Sequence, residues 1–254
     1  MEIIMGKRKA LQRTLIYGEP GVGKTTLASQ YPNVIFMGDE LPDQKDVPRL
    51  DGVEFTEKGL MDAAKYLQGT DYERVVIDTI SGLSKKLEAK MLGVVNKDLV
   101  DAKKDSIHSY GKGWGNGQTV LLYKLTNFIE ELEKMPKLKE IIFIAHSRVR
   151  TIELPNKQKI NKIVPALETQ VIEWFYRKTD NMFFVDLAKT SSQTSSNVYR
   201  NLSEKRLIYT RGTELFMAKS RFNIQPIYEF KGIKSVDALR ADIDKTFEVG
   251  NDKV

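Results

Sequence analysis

Eight consecutive residues, Gly18-Glu19-Pro20-Gly21-Val22-Gly23-Lys24-Thr25, fit the spacing G-x-x-x-x-G-K-[ST]. That pattern holds phosphate when it follows a strand and opens a helix. Its glycines let successive backbone N–H groups converge on phosphate oxygens, and the helix that follows adds the positive end of its dipole. Lys24 would then reach the β- and γ-phosphates and the Thr25 hydroxyl would ligate magnesium, with Thr26 among the nucleotide-binding residues. ATP and Mg2+ are the expected ligands. A second magnesium anchor is Asp78, at the end of the apolar run Val75-Val76-Ile77, because parallel strands deliver their carboxyl ends to the ligand crevice. Thr79 follows it, not glutamate, which counts against AAA+ enzymes and helicases that place the catalytic glutamate beside this aspartate. The carboxylate that activates water must come from elsewhere, and Asp39 and Glu40, just past the run Val34–Met37, are available.

The elements that must hold these residues alternate short apolar runs with longer amphipathic stretches, as in a mostly parallel sheet covered by helices. Strands are expected at 14–17, Val34–Met37 and Arg74–Asp78, with helices at 24–30 and 59–68. Residues 96–119 form a polar, glycine-dense stretch, too long for a simple connector. A helix at 120–133, a strand at 141–145 ending at His146, and a charged loop at 147–163 come next. The remainder reads as a helix at 168–177, a strand at 182–187, a polar Ser/Thr loop, an antiparallel hairpin at 206–218 and a helix at 236–247.

The 254 residues, 41% hydrophobic and 29% charged, suffice for one α/β core, so a single domain spanning 1–254 is expected. Residues 1–13 would be a basic N-terminal segment and 235–254 a C-terminal helix and tail. The net charge of +6 permits a polyanionic partner. From Lys134 to Lys162 eight basic residues face only Glu140 and Glu153. The lack of cysteine excludes disulfides, thiolate metal sites and a cysteine nucleophile, and suits the cytoplasm. His108 and His146 are too far apart in sequence to suggest a zinc site. No run approaches the roughly 20 apolar residues that span a bilayer, so no membrane partner is expected.

In motif order, and over nearly the whole chain, the sequence resembles the RecA-like ATPases, and within them the small phage ATPases of the Sak-four type that anneal or recombine single strands. The resemblance implies a RecA-like P-loop NTPase core with a C-terminal antiparallel hairpin. It implies that Glu40 in VIFMGDE activates water and that His146 in IIFIAHS senses the γ-phosphate, where RecA itself has glutamine. Two loops of that fold touch DNA. Their slots here hold Tyr110, Lys112 and Trp114 among glycines, suited to base stacking, and Arg148, Arg150, Lys157, Lys159 and Lys162, suited to phosphate contacts.

Lys219-Ser220-Arg221 resembles the K-x-R element that RecA-like hexameric helicases project into a neighbour's ATP site, which would make the ATPase a head-to-tail ring or filament. The expected activity is therefore an ATPase stimulated by single-stranded DNA, in the cytoplasm of a phage-infected host, with a single-strand DNA-binding protein left open as a further partner. The alternatives are a P-loop small-molecule kinase and a helicase or helicase loader on the same fold. Against the kinase, the basic loop is long and interrupted by Pro155, unlike a compact arginine-rich lid.

Overall fold

The structure is a computed structural model that describes residues 11–40, 46–96, 106–110, 116–153, 156–193 and 199–248. Along the chain run β1 (Gln12–Gly18), α1 (Lys24–Ala28), β2 (Val34–Met37), α2 (Glu57–Gln68), β3 (Arg74–Asp78) and α3 (Ile80–Asn96). A single 3-10 turn (Ile107–Ser109) precedes α4 (Asn116–Leu132), β4 (Glu140–Glu153), β5 (Lys159–Pro165) and α5 (Thr169–Lys178). The C-terminal part holds β6 (Asn181–Gln193), β7 (Tyr199–Tyr209), β8 (Lys219–Ser220), β9 (Ile227–Glu229) and α6 (Ile233–Glu248).

The main sheet has the order β2-β3-β4-β1-β6-β7-β9. Neighbours from β2 to β6 are parallel, whereas β6–β7 and β7–β9 are antiparallel. Side chains alternate between two cores, as the two-residue period of a strand requires. Leu15, Tyr17, Val75, Ile77, Ile141, Phe143 and Phe184 point to one face, where they meet Leu60 of α2, Leu83 and Leu87 of α3, Leu125 and Phe128 of α4 and Phe175 of α5. Ile16, Phe36, Val76, Ile142, Ile144 and Phe183 point to the other, against Leu27 of α1 and Val236, Leu239 and Ile243 of α6. Burial on both faces is why the central strands read as unbroken apolar runs. Helix α2 starts where the Thr56 hydroxyl accepts the Gly59 N–H at 3.0 Å, a side-chain N-cap.

Four expectations need correction. The charged loop at 147–163 is instead an antiparallel ribbon: β4 continues past His146 and pairs with β5 from Ser147↔Pro165 to Glu153↔Lys159. The Ser/Thr stretch after Leu187 likewise belongs to a ribbon, with β6 and β7 paired as far as Gln193↔Tyr199. In both cases the ribbon runs beyond the core, so the apolar alternation that marks a half-buried strand is absent. The expected C-terminal antiparallel strands are present, but with other bounds than 206–218. The first part of that stretch is β7, whose partners are β6 and β9, while residues 212–218 make a tight turn closed by Gly212 N–H to Ala218 O at 2.8 Å. Finally, α3 fills a region for which the sequence predicts no element, although Ile80, Leu83, Leu87 and Met91 are all buried along one side of it. Among the described residues no helix is long and apolar enough to cross a membrane.

Candidate nucleotide site

β1 ends between β4 and β6, with Gly18 opposite His146 in register. The turn that follows therefore emerges where the connections on either side of β1 lead to opposite edges of the sheet, the usual ligand crevice of an open α/β fold. Gly23, at φ +94°, turns the chain into α1 in a left-handed conformation that favours glycine. Lys24 folds back over the turn, and its ammonium donates to the carbonyls of Gly18 at 3.0 Å and Glu19 at 2.8 Å. Burial lowers its pKa, against the opposing pull of Asp78, Glu40 and Glu19.

Asp78, only 1% exposed, accepts a hydrogen bond from the Thr25 hydroxyl at 2.7 Å. Burial pushes its carboxyl up to about 6, helped by the Glu40 charge and resisted by the Thr25 hydrogen bond and Lys24. A hydroxyl and a buried carboxylate in contact are hard oxygen donors, a set that fits magnesium.

The two candidate bases differ in placement. Asp39 is held: one oxygen accepts the Thr79 backbone N–H at 3.0 Å and the other lies 3.5 Å from the Lys86 ammonium. The Glu40 backbone donates to the Asp78 carbonyl at 2.9 Å, and its side chain is 48% exposed. Gly38, at φ +143°, permits this crossing, since a Cβ there would lie 2.0 Å from the Asp78 carbonyl oxygen. Glu40 Oε1 meets His146 Nε2 at 2.7 Å. The His146 backbone N–H donates to the Ser81 hydroxyl at 3.2 Å, while its Nδ1 is buried without a partner among the described residues. Lys24, Thr25, Glu40, Asp78 and His146 are thus brought together around one turn. The sequence marks Thr79 only as the residue standing in place of a glutamate and gives Ser81 no role; the signal for both is their closeness to Asp78 along the chain.

The β6–β7 ribbon forms the opposite wall. A Cβ added to Gly18 would lie 2.2 Å from the Val185 carbonyl oxygen, and two residues further along β6 Leu187 is paired with Arg206 of β7. A Cβ added to Gly23 would lie 3.5 Å from Arg206 Cδ and Nε and 3.6 Å from Cζ. No sequence motif pointed to this arginine.

Lys219 and Arg221 lie far from this turn in their own chain, at the start of β6, where Met182 pairs with Lys219. Lys219 donates to the Thr179 carbonyl and sits 5.4 Å over the Tyr176 ring. Arg221, exposed, meets Asp180 at 3.1 Å and donates to the Arg177 carbonyl at 2.7 Å. The basic segment 134–162 divides between the two ends of the sheet. Lys134, Lys137 and Lys139 pair with Glu131, Asp71 and Glu73 near the start of β4, so only the later cations belong to the ribbon. There Arg150 stands opposite Lys162, and Arg148, two residues before Arg150, shares its face. Arg148 also donates to the Leu167 carbonyl. Lys159 stands opposite Glu153, and Lys157 occupies the turn at φ +66°. Tyr110 is half-buried, packing against the α2–α5 core beside Gly117. Lys112, Trp114, Pro155, most of the N-terminal segment 1–13 and the end of the tail, 249–254, lie outside the described residues.

Residues 10–222 match the AAA_24 family, described as an AAA domain. The missing glutamate after Asp78 therefore does not place the chain outside AAA-type families. No curated protein matches the sequence. Among solved structures, the flagellar accessory protein FlaH of Methanocaldococcus jannaschii is similar at 12% identity and a TM-score of 0.45, over 86% of this chain and 84% of that one. An uncharacterized protein of Pyrococcus horikoshii, crystallised in complex with an unknown peptide, is similar at 13% identity and 0.42, over 87% and 89%. An ATPase from the type III secretion system of pathogenic bacteria follows at 13% and 0.39, over 69% and 51%.

Proposed function

Since the chain belongs to the AAA domain family, and is an AAA-type P-loop ATPase domain, we propose that it hydrolyses ATP under the control of single-stranded DNA and acts in strand annealing or recombination. In this reading the turn 18–25 cradles the phosphates and Lys24 neutralises the one transferred. Magnesium, held by Thr25 and Asp78, would offset phosphate charge. Glu40 takes the proton of the attacking water, a role that favours a carboxylate with freedom to move over one fixed on both oxygens as Asp39 is. His146 holds Glu40 from the next strand but one, so the pair can part when a γ-phosphate offers His146 another partner.

One observation carries the DNA assignment. β4 brings His146 to the nucleotide site and continues without interruption into the cationic ribbon of Arg148, Arg150 and Lys162. A polyanion lying on that ribbon would bear on the same strand that positions the γ-phosphate sensor, which gives DNA a route to the ATPase. Lys219 and Arg221, remote from their own nucleotide turn, serve as trans cations only if subunits stack head to tail.

The test is steady-state ATP hydrolysis with and without single-stranded DNA, across protein concentration. Stimulation by DNA and specific activity that rises until assembly saturates are expected. Acceptor-dependent phosphate transfer with no DNA effect would instead favour a small-molecule kinase, and ATP-driven strand displacement a helicase.

A further inference from the structure

We propose that Arg206 is a phosphate-binding residue of the nucleotide site, supplied by β7 of the same subunit; the proposal rests on the P-loop reading above. Three observations point to it. The first is position. β6 passes so close to β1 that Gly18 tolerates no side chain, and this contact sets the ribbon beside the turn, with Arg206 3.5 Å from the place that a Cβ on Gly23 would take. Phe230, the residue after β9, fixes β7 at that residue, its N–H donating to the Arg206 carbonyl at 2.8 Å.

The second is availability. The Arg206 side chain is exposed and makes no hydrogen bond or ion pair among the described residues, whereas the adjacent Lys205 pairs with Glu229 at 3.8 Å. A guanidinium whose five donors have no partner among the described residues is well matched to phosphate oxygens. The third is charge balance. Asp78, Glu40 and Asp39 make the β2–β3 side of the crevice acidic, and Lys24 is the only cation in the turn 18–25. A polyphosphate carrying several negative charges needs cations on the side away from those carboxylates, and Arg206 stands on that side.

The guanidinium would swing from its resting place over Gly23 to donate to the polyphosphate, a change of rotamer on a fixed strand. Because the residue and the turn belong to one chain, its effect is independent of assembly, unlike that expected of Arg221.

The experiment is calorimetric titration of wild-type, Arg206→Ala and Arg206→Lys protein with ADP, with inorganic tripolyphosphate and with adenosine, at low salt and at two protein concentrations. Arg206→Ala should weaken ADP and tripolyphosphate by the same factor, about 10- to 100-fold, as for a lost charge-assisted hydrogen bond. Adenosine binding and the melting temperature of the free protein should not change, and Arg206→Lys should restore part of the loss. Unchanged tripolyphosphate binding overturns the proposal, even if ADP weakens, because the arginine would then meet the base or sugar. A deficit that appears only at the higher protein concentration overturns the assignment to the same subunit. Wild-type protein that binds neither ADP nor tripolyphosphate refutes the nucleotide reading and this proposal together, whereas loss in Lys24→Ala with none in Arg206→Ala refutes this proposal alone.

Discussion

Asp78→Asn should make the ligand-free protein more stable at neutral pH while abolishing hydrolysis. Folding raises this carboxyl from 3.8 to about 6, chiefly by burying it, so the ionised form costs about 3 kcal/mol in the folded state. Between those two values the folded chain holds a proton that the unfolded chain has released. Stability therefore falls as pH rises from about 4 to about 6 and stays lower above that. Asparagine carries no charge, and its amide oxygen still accepts from Thr25, so the variant avoids the penalty. At about 2–4 °C per kcal/mol for a domain of this size, the gain is up to about 6–12 °C in melting temperature at pH 8, and none at pH 4. Differential scanning calorimetry of both proteins in chelator, from pH 4 to 8, measures the difference. A variant that melts at the same interval from wild type at pH 4 and pH 8, or below it at pH 8, would refute the claim that Asp78 is held against its own desolvation.

Glu40→Gln should retain ATP binding and lose turnover by about 10²–10⁴-fold, as for a missing general base. Asp39→Asn should turn over and lose about 1 kcal/mol of stability through its bonds to Thr79 and Lys86, and the reverse pattern would reassign the base. Arg221→Ala should bind ATP yet hydrolyse it about 10³-fold more slowly, with a melting temperature near wild type because its pairing with Asp180 is exposed. Full activity in a monomeric Arg221→Ala protein would remove it from the mechanism. Replacing Arg150 and Lys162 together by Ala should weaken single-stranded DNA of every sequence and flatten the log–log salt dependence by about 1.4, for two phosphate contacts. Lys159→Ala, opposite Glu153, should do less, and a wild-type salt slope in the double variant would separate the ribbon from DNA.

The parts of the fold that could be read from sequence are those buried on both faces. Val34–Met37 and Arg74–Asp78 have the same bounds in sequence and in structure, because continuous apolar runs between turn signals leave little choice. The P-loop was legible for another reason, since its spacing is demanded by backbone geometry rather than by neighbours. What escaped depended on pairing. Strands that project past the core, as β4 does after His146, have no buried side to impose alternation, so a ribbon and a charged loop look alike. The contact between Glu40 and His146 arises because β2 and β4 flank β3 in the sheet, and no spacing along the chain encodes that. Arg206 is the extreme case, brought to Gly23 by the register of a ribbon that carries no motif.

Because β4 serves the nucleotide site and the ribbon as one uninterrupted strand, its length is constrained by parity. Adding or deleting one residue between His146 and Arg148 would rotate every following side chain to the opposite surface, turning Arg148 and Arg150 away and pushing Val149 into their place. A two-residue insertion would keep each side chain on its surface and shift the ribbon outward by about 7 Å. Natural or engineered length variants of this segment should therefore come in steps of two, and a single-residue change should uncouple the two ends of the strand while leaving both intact.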